Sequence, residues 1–173
     1  NLDQLFDGVY NNFVEFSDYA RKDGHITLKL GSERDIKKIR AYIQDGTQNY
    51  LRDGKIQVSQ DGKTWTDVVT VGDGLANEIR DDSLTDGWTH DSKMPGNRYI
   101  EGELSSPVKA NYLRVLFTAD YDARFVGFTE LVINDGEFVK PINDPTVEGN
   151  SGESQGNLYT NIVDGKVLTS YKA

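Results

Sequence analysis

Cysteine is absent from the 173 residues of the chain, which removes disulfide scaffolds, thiolate zinc sites and cysteine nucleophiles at once. Positive charge is in short supply: 19 Lys and Arg stand against 28 Asp and Glu, a formal net charge of −9. Nucleic acid is a poor partner for such a chain, because phosphate binding needs a basic face. An anionic membrane surface is disfavoured for the same reason. No apolar run approaches the roughly 20 residues that a membrane-spanning helix requires. No basic-then-apolar leader begins at Asn1, although the chain reads as an excised piece, which leaves secretion open. Histidine is scarce too. His25 sits at a strand start and His90 in a loop, without metal-ligand spacing, and surface positions are the simpler reading of both. The sequence has no Gly-x-Ser-x-Gly elbow, no His-Glu-x-x-His and no phosphate-binding glycine loop. Asp120 with Asp122 is a pair that in principle serves as acid and base, yet nothing marks it as buried. The expectation is a chain that is not itself an enzyme.

What the sequence does have is turns and alternation. Hydrophobic residues make up 36% and aromatics 10%, enough for a folded core. Asp-Gly occurs nine times, at Asp7, Asp23, Asp45, Asp53, Asp61, Asp73, Asp86, Asp135 and Asp164. The pair suits tight turns, since glycine accepts positive φ and Asp bonds its own neighbouring backbone. Between the turns lie period-two runs: Ile26, Leu28, Leu30; Ile39, Ala41, Ile43; Ile56, Val58; Leu113, Val115, Phe117. Such alternation reads as half-buried strands. Only Ser32 to Ile39 resembles a helical turn, and it is too short to stand alone. The expected fold class is therefore all-β, an antiparallel β-sandwich, with Ile26, Leu28, Ile39, Ile56, Val58, Leu113, Val115 and Leu131 inside.

The texture changes after residue 138. Pro141, Pro145 and a Gly/Ser/Asn/Glu run at Glu148 to Gly156 read as a polar linker over residues 139–156. Apolar residues then return at Leu158, Ile162, Val163, Val167 and Leu168. Ile162-Val163-Asp164-Gly165 repeats Leu5-Phe6-Asp7-Gly8, and each follows an Asn-Leu pair. The division this suggests is a domain over residues 1–138 and the start of a second, truncated copy over 157–173. A coincidental Asp-Gly turn is the plainer alternative.

Four pieces occur in an informative order. Leu5-Phe6-Asp7-Gly8-Val9-Tyr10-Asn11-Asn12-Phe13 comes first, and Asp23-Gly24-His25-Ile26-Thr27-Leu28-Lys29-Leu30-Gly31 second. Ser59-Gln60-Asp61-Gly62-Lys63-Thr64-Trp65 is third. Ala110-Asn111-Tyr112-Leu113-Arg114-Val115, followed by Phe128-Thr129-Glu130-Leu131-Val132-Ile133, is fourth. Together they resemble the discoidin, or factor V/VIII C-type, fold, and within it the family 32 carbohydrate-binding modules. Tyr50-Leu51-Arg52-Asp53-Gly54 looks most like modules appended to secreted bacterial hexosaminidases and hyaluronidase-like enzymes. The resemblance implies a jelly-roll, discoidin-like sandwich that is secreted or held at a bacterial cell surface. It would be linked to neighbouring modules of a larger glycoside hydrolase and would bind a glycan. By its residues alone, Trp65 is an anchor packed under the next strand, or less readily a sugar platform.

The resemblance also implies a structural calcium, Ca2+. Hard cations want clustered carboxylate and carbonyl oxygens. Asp7 and Glu130 would give side-chain oxygens, and Gln4, Val9, Asn12 and Thr129 carbonyls. Without it, Asp7 and Glu130 read as an acidic turn and a surface Glu. In such modules the sugar sits on loops at one end of the sandwich. The loops Phe16 to Lys22, Gln44 to Asp53 and Ala119 to Phe125 contain Asp18, Tyr19, Gln44, Asp45, Asn49, Tyr50, Arg52, Tyr121, Asp122 and Arg124. Aromatic faces cover the C–H patches of a pyranose, while carboxylates, amides and guanidinium groups bond its hydroxyls; loops are polar in any case. Galactose-binding members pair a His with an Arg, but the first loop has no His and Gln44 stands at the Arg position. That disfavours galactose and leaves N-acetylglucosamine-type or other glycans open, and the resemblance to modules of hexosamine-acting enzymes implies terminal N-acetylhexosamine sugars. A non-binding spacer or protein-interaction domain of the same multimodular enzyme is the alternative. Asp81 to Tyr99, with Trp88, His90, Met94 and Pro95, reads as a long loop in which Trp88 pins the loop or lids a ligand.

Overall fold

The computed structural model describes residues 5, 6, 8, 14–17, 22–43, 51–72, 79–80, 98–120, 126–136 and 147–149. They form nine strands: β1 (Val14–Ser17), β2 (His25–Ile43), β3 (Gly54–Ser59), β4 (Thr66–Val71), β5 (Ile79–Arg80), β6 (Arg98–Phe117), β7 (Val126–Phe128), β8 (Glu130–Ile133) and β9 (Val147–Gly149). All pairings are antiparallel, and no α-helix occurs among the described residues. Ser32 to Ile39 is part of β2, not a helical turn. Arg98 and Tyr99 open β6, so the loop expected as far as Tyr99 ends earlier. Trp88, His90, Met94 and Pro95 lie outside the described residues.

Two long strands organise the sandwich. β2 and β6 pair in three stretches: His25–Lys29 with Tyr112–Leu116, Arg34–Ile36 with Val108–Ala110, and Lys38–Ile43 with Arg98–Glu103. Register shifts between Lys29 and Arg34, and between Ile36 and Lys38, mark where the ribbon turns the corner from one layer to the other. The first layer runs β4-β3-β6-β2 with β9 on the outer edge of β2. The second joins β8 to the later half of β2, and β5 to the start of β6. A Cβ on Gly102 of β6 would lie 1.8 Å from the Val68 carbonyl of β4, so only a glycine lets the layers meet this closely.

Alternation fills the space between the layers. Ile26, Leu28, Ile39, Ile56, Val58, Leu113, Val115 and Leu131, the residues expected inside, are all buried, joined by Phe117, Phe128, Ile100 and Ile133. Leu5 and Phe6 belong to the same cluster. Trp65 does not. It lies half-buried outside the core, with the Arg114 guanidinium 4.1 Å above its ring. Arg114 is held there because its Nε and Nη2 both donate to Gln57 Oε1, at 2.9 and 2.7 Å, and the ring completes the other side of a polar stack.

The two ends of the first layer differ. At one end lie the β3–β4 hairpin tip, residues 59–65, and the bend of β2 after Lys29. At the other lie the starts of β2 and β3 and the ends of β4 and β6, since Gly54 is opposite both Val71 and Phe117, and His25 opposite Leu116.

Candidate ligand-binding end and cation site

Three chain segments, far apart in sequence, are tied together where β2 and β3 begin. The Lys22 amide donates to Asp120 Oδ1 at 2.8 Å. The Asp23 amide donates to the Phe117 carbonyl at 2.9 Å, and the Phe117 amide to the Gly24 carbonyl at 2.8 Å. The Thr118 amide donates to the Asp53 carbonyl at 3.1 Å. Asp23 accepts a positive φ of 66° to make this approach, a conformation Asp tolerates better than most residues. Gly72, at the end of β4, packs against the Arg52–Asp53 backbone so closely that a Cβ would lie 2.6 Å from Asp53 Oδ1.

Lys22, Asp53 and Asp120 lie on the three loops expected to carry a ligand, so the described flanks of those loops meet at one end. Of the ten candidate side chains, Arg52 is described, half-buried beside Asp53. Asp18, Tyr19, Gln44, Asp45, Asn49, Tyr50, Tyr121, Asp122 and Arg124 lie outside the described residues. Asp120 was not among the candidates, yet its carboxylate holds two of the loops together. Its position in Ala119 to Phe125 could have found it, but the sequence offered it only as an acid–base partner of Asp122.

The cation reading concerns a second place. In the β2–β8 register Ala41 faces Leu131 in the core, so the neighbouring pair Tyr42 and Glu130 points to the outer side of the layer. Both are nevertheless buried, Glu130 at 4% exposure. A buried carboxylate demands polar partners. One is the Gly8 amide, which donates to Glu130 Oε1 at 3.1 Å across 122 residues of sequence. Gly8 has a φ of 74°, a backbone conformation that favours glycine. Thr129 is fully buried beside it, its amide donating to the Tyr42 carbonyl at 2.9 Å. Gln4, Asp7, Val9 and Asn12 lie outside the described residues. Among the described residues no three His, Cys, Asp or Glu side chains come together. The donors present fit a hard cation to this extent: Glu130 offers a buried carboxylate beside the fully buried Thr129.

The polar side chains at the opposite end have structural work. Asp61 Oδ1 accepts the amides of Lys63 and Thr64, both at 2.8 Å, and the Ser59 hydroxyl at 3.1 Å. The Thr64 and Lys63 amides hold the Asp61 carboxyl down at about 2. Ser59 Oγ accepts the Gly62 amide at 2.9 Å, Gly62 supplying the positive φ of 73°. Asn111 Nδ2 ties the tip to β6 through the Gln60 carbonyl at 2.9 Å. The Ser-x-Asp-Gly-x-x-Trp run is thus a self-bonded hairpin tip that ends in the Trp65–Arg114 stack. His25, at the start of β2, is half-buried.

Residues 1–131 match the family described as F5/8 type C domain. Among solved structures the chain is similar to the carbohydrate-binding module CBM32-1 of a family 31 glycoside hydrolase from Clostridium perfringens. The TM-score is 0.55 and the identity 15%, covering 78% of this chain and 84% of that one. It is also similar to chitosan-binding module 1 of a chitosanase/glucanase from Paenibacillus sp. IK-5, with TM-score 0.49, 19% identity and coverage of 78% and 84%. A third is the Clostridium perfringens module CpGH89CBM32-5, in complex with GalNAc-β-1,3-galactose, with TM-score 0.46, 16% identity and coverage of 75% and 80%. At such identities the likeness is one of fold. No curated protein matches the sequence.

Proposed function

The chain belongs to the F5/8 type C domain family, and from that premise we propose that it is a non-catalytic carbohydrate-binding module of a larger, secreted bacterial glycoside hydrolase. Its ligand is a terminal sugar, an N-acetylated hexosamine, taken in a shallow site at the end where β2 and β3 begin. The observation that carries the reading is the meeting of three loop flanks at Lys22–Asp120 and Thr118–Asp53. Those loops hold the Tyr, Asn, Gln, Asp and Arg residues suited to a pyranose. Tyr19, Tyr50 and Tyr121 supply faces for C–H patches, while Arg52, Arg124, Asp45 and Asn49 bond hydroxyl and acetamido groups.

A single sugar ring buries little area, so the dissociation constant belongs in the range of about 10 μM to a few mM. Isothermal calorimetry or NMR titration against N-acetylglucosamine, galactose and their disaccharides tests this. Tyr121→Ala, Arg124→Ala and Asp45→Ala should lose binding while keeping the wild-type melting temperature. If no sugar shifts any loop resonance at tens of millimolar (about tenfold above the weakest Kd in this range), the chain is a spacer between catalytic and other modules.

Glu130 belongs to the same proposal as a ligand of a structural calcium, with Asp7 and the carbonyls of Gln4, Val9, Asn12 and Thr129. When bound, the ion neutralises the buried carboxylate and pins the N-terminal loop to β8. Chelation should lower the melting temperature, and calcium at about a hundred times its Kd should restore ~2.7 kcal/mol. An Asp7→Ala chain that keeps its calcium-dependent stability would overturn this assignment. The same division of the chain makes residues 157–173 the start of a second copy, whose binding would add avidity.

A further inference from the structure

The family match ends at residue 131, and the stretch after residue 138 has the composition of a linker. Residues 147–149 nevertheless form β9, paired antiparallel with β2. Gly149 lies opposite Ile26, Glu148 opposite Thr27 and Val147 opposite Leu28. On its other side the same stretch of β2 pairs with β6, Ile26 opposite Val115 and Leu28 opposite Leu113. Among the described residues, β9 is what covers this edge of the first layer. An edge with its amides and carbonyls exposed recruits other strands. This edge is also a firm template, because Ile26 and Leu28 are locked in the core at 0% and 3% exposure.

Direction is fixed by the register. β2 runs from His25, at the candidate ligand-binding end, towards Lys29 near the hairpin tip. β9 runs the opposite way, so the chain at Gly149 is heading for the end where Asp23 is bonded to Phe117 and Lys22 to Asp120.

We propose that the β2 edge at Ile26–Leu28 is a strand-docking site for the chain's own post-domain segment, residues 147–149. The docked strand delivers whatever follows residue 149 to the side of the candidate ligand-binding loops. Strand addition of this kind works through main-chain bonds and needs little side-chain specificity, which suits a segment of linker composition. The next part of the protein then starts from a defined point near the sugar site instead of sweeping a wide volume. A neighbouring binding site would gain effective concentration for a longer glycan from this placement. The docking itself is independent of whether any sugar binds.

The absence of cysteine makes the test direct, since introduced pairs are unique labelling sites. In the full chain, spin labels on Lys22→Cys with Ser151→Cys should give a short, narrow distance distribution. Labels on Lys63→Cys, at the hairpin tip, with Ser151→Cys should give a distinctly longer one. Adding Val147→Pro and Glu148→Pro should broaden both, because one of two consecutive amides in an edge strand faces its partner and proline removes that donor. Amide exchange within Ile26–Leu28 should then rise at least about tenfold. A broad Lys22–Ser151 distribution in the otherwise unaltered chain would overturn the proposal. So would a Lys63–Ser151 distance shorter than Lys22–Ser151, or unchanged exchange in the folded proline variant. The distance pairs need no proline substitution, so a variant that fails to fold leaves the test standing.

Discussion

The hairpin tip at Ser59–Trp65 and the end where β2 begins solve the same problem, holding a turn in place, by opposite means. At the tip, Asp61 bonds amides two and three residues away, and Ser59 bonds one three residues away. At the other end the partners come from distant sequence: Lys22 and Asp120 are separated by 98 residues, and Thr118 reaches back to Asp53. A turn closed by its own side chains leaves those side chains committed. Loops anchored at their flanks, here by backbone bonds and the Asp120 carboxylate, leave their tips to vary without disturbing the frame, which is why binding residues concentrate on such loops. The difference gives structural duty to the polar residues of the tip and leaves those of the three loops to the ligand role proposed for them, although both sets are equally polar in the sequence.

The largest perturbation removes the frame that separates the two ends. Val115 is 1% exposed in β6, opposite Ile26 of β2 and Ile56 of β3. Val115→Asp buries an unpaired charge costing several kcal/mol, and the expected outcome is an unfolded chain by circular dichroism. A cooperative wild-type-like melt would contradict the placement of the core.

Next comes a long-range tie on the far side of β2. Asn134 Oδ1 accepts the amides of Lys37 and Lys38, at 2.9 and 3.3 Å, and its Nδ2 donates to the Asp35 carbonyl at 3.0 Å. It does so at a φ of 52°, and it seats the turn after β8 against the β2 bulge. Asn134→Ala loses these bonds and strains the backbone, at about 1–3 kcal/mol. Denaturant titration measures the loss, and sugar binding should persist. A variant as stable as wild type would mean that the bulge holds its shape without Asn134.

The strands were legible where period two was strong. Ile26-Leu28, Ile56-Val58 and Leu113-Val115 could alternate only with one face in a core, and all six are buried. Asp-Gly was a weaker guide. Gly62 makes a positive-φ turn, but Gly54 begins β3, where a Cβ would sit 2.5 Å from the Leu116 carbonyl. That glycine answers to close packing, not to turning. Trp65 was misread because burial of a large ring is the common case. Its stacking under Arg114 depends on which side of the layer Arg114 faces, which only the register with Gln57 fixes. β9 was invisible for the same reason, since a three-residue strand of linker composition is defined by the edge it meets. The candidate site was legible as three loops, but their meeting rests on contacts such as Lys22–Asp120 that no local pattern encodes.

A smaller effect probes the ligand end itself. Asp120 is exposed and its bond to the Lys22 amide is single, so Asp120→Ala should cost at most about 1 kcal/mol of stability. Its effect on binding should be larger than its effect on folding, because it releases one loop flank from another. Calorimetry with the best sugar, set beside the melting curve, separates the two. Equal losses would mean that Asp120 serves the frame alone.

The smallest effect belongs to the hairpin tip and is read by pH. Asp61 is held at about 2, chiefly by the amides of Thr64 and Lys63, against an unfolded value near 3.8. A carboxyl whose folded pKa is depressed stabilises the fold above its unfolded pKa and loses that contribution as pH falls towards the folded one. The window is therefore from about 4 down to about 2, and above it the tip should be insensitive to pH. Because the carboxylate is exposed, solvent screens the interaction and the melting temperature should move only slightly. The resonances are the sharper probe: the Lys63 and Thr64 amides should titrate together with a midpoint near the Asp61 value. Asp61→Asn should abolish that titration while keeping the turn, since an amide oxygen accepts the same two bonds without the charge. If the two amides instead titrate near an ordinary Asp pKa, the tip is not closed by this carboxylate, and the division between a self-bonded end and a flank-anchored end fails at its simplest point.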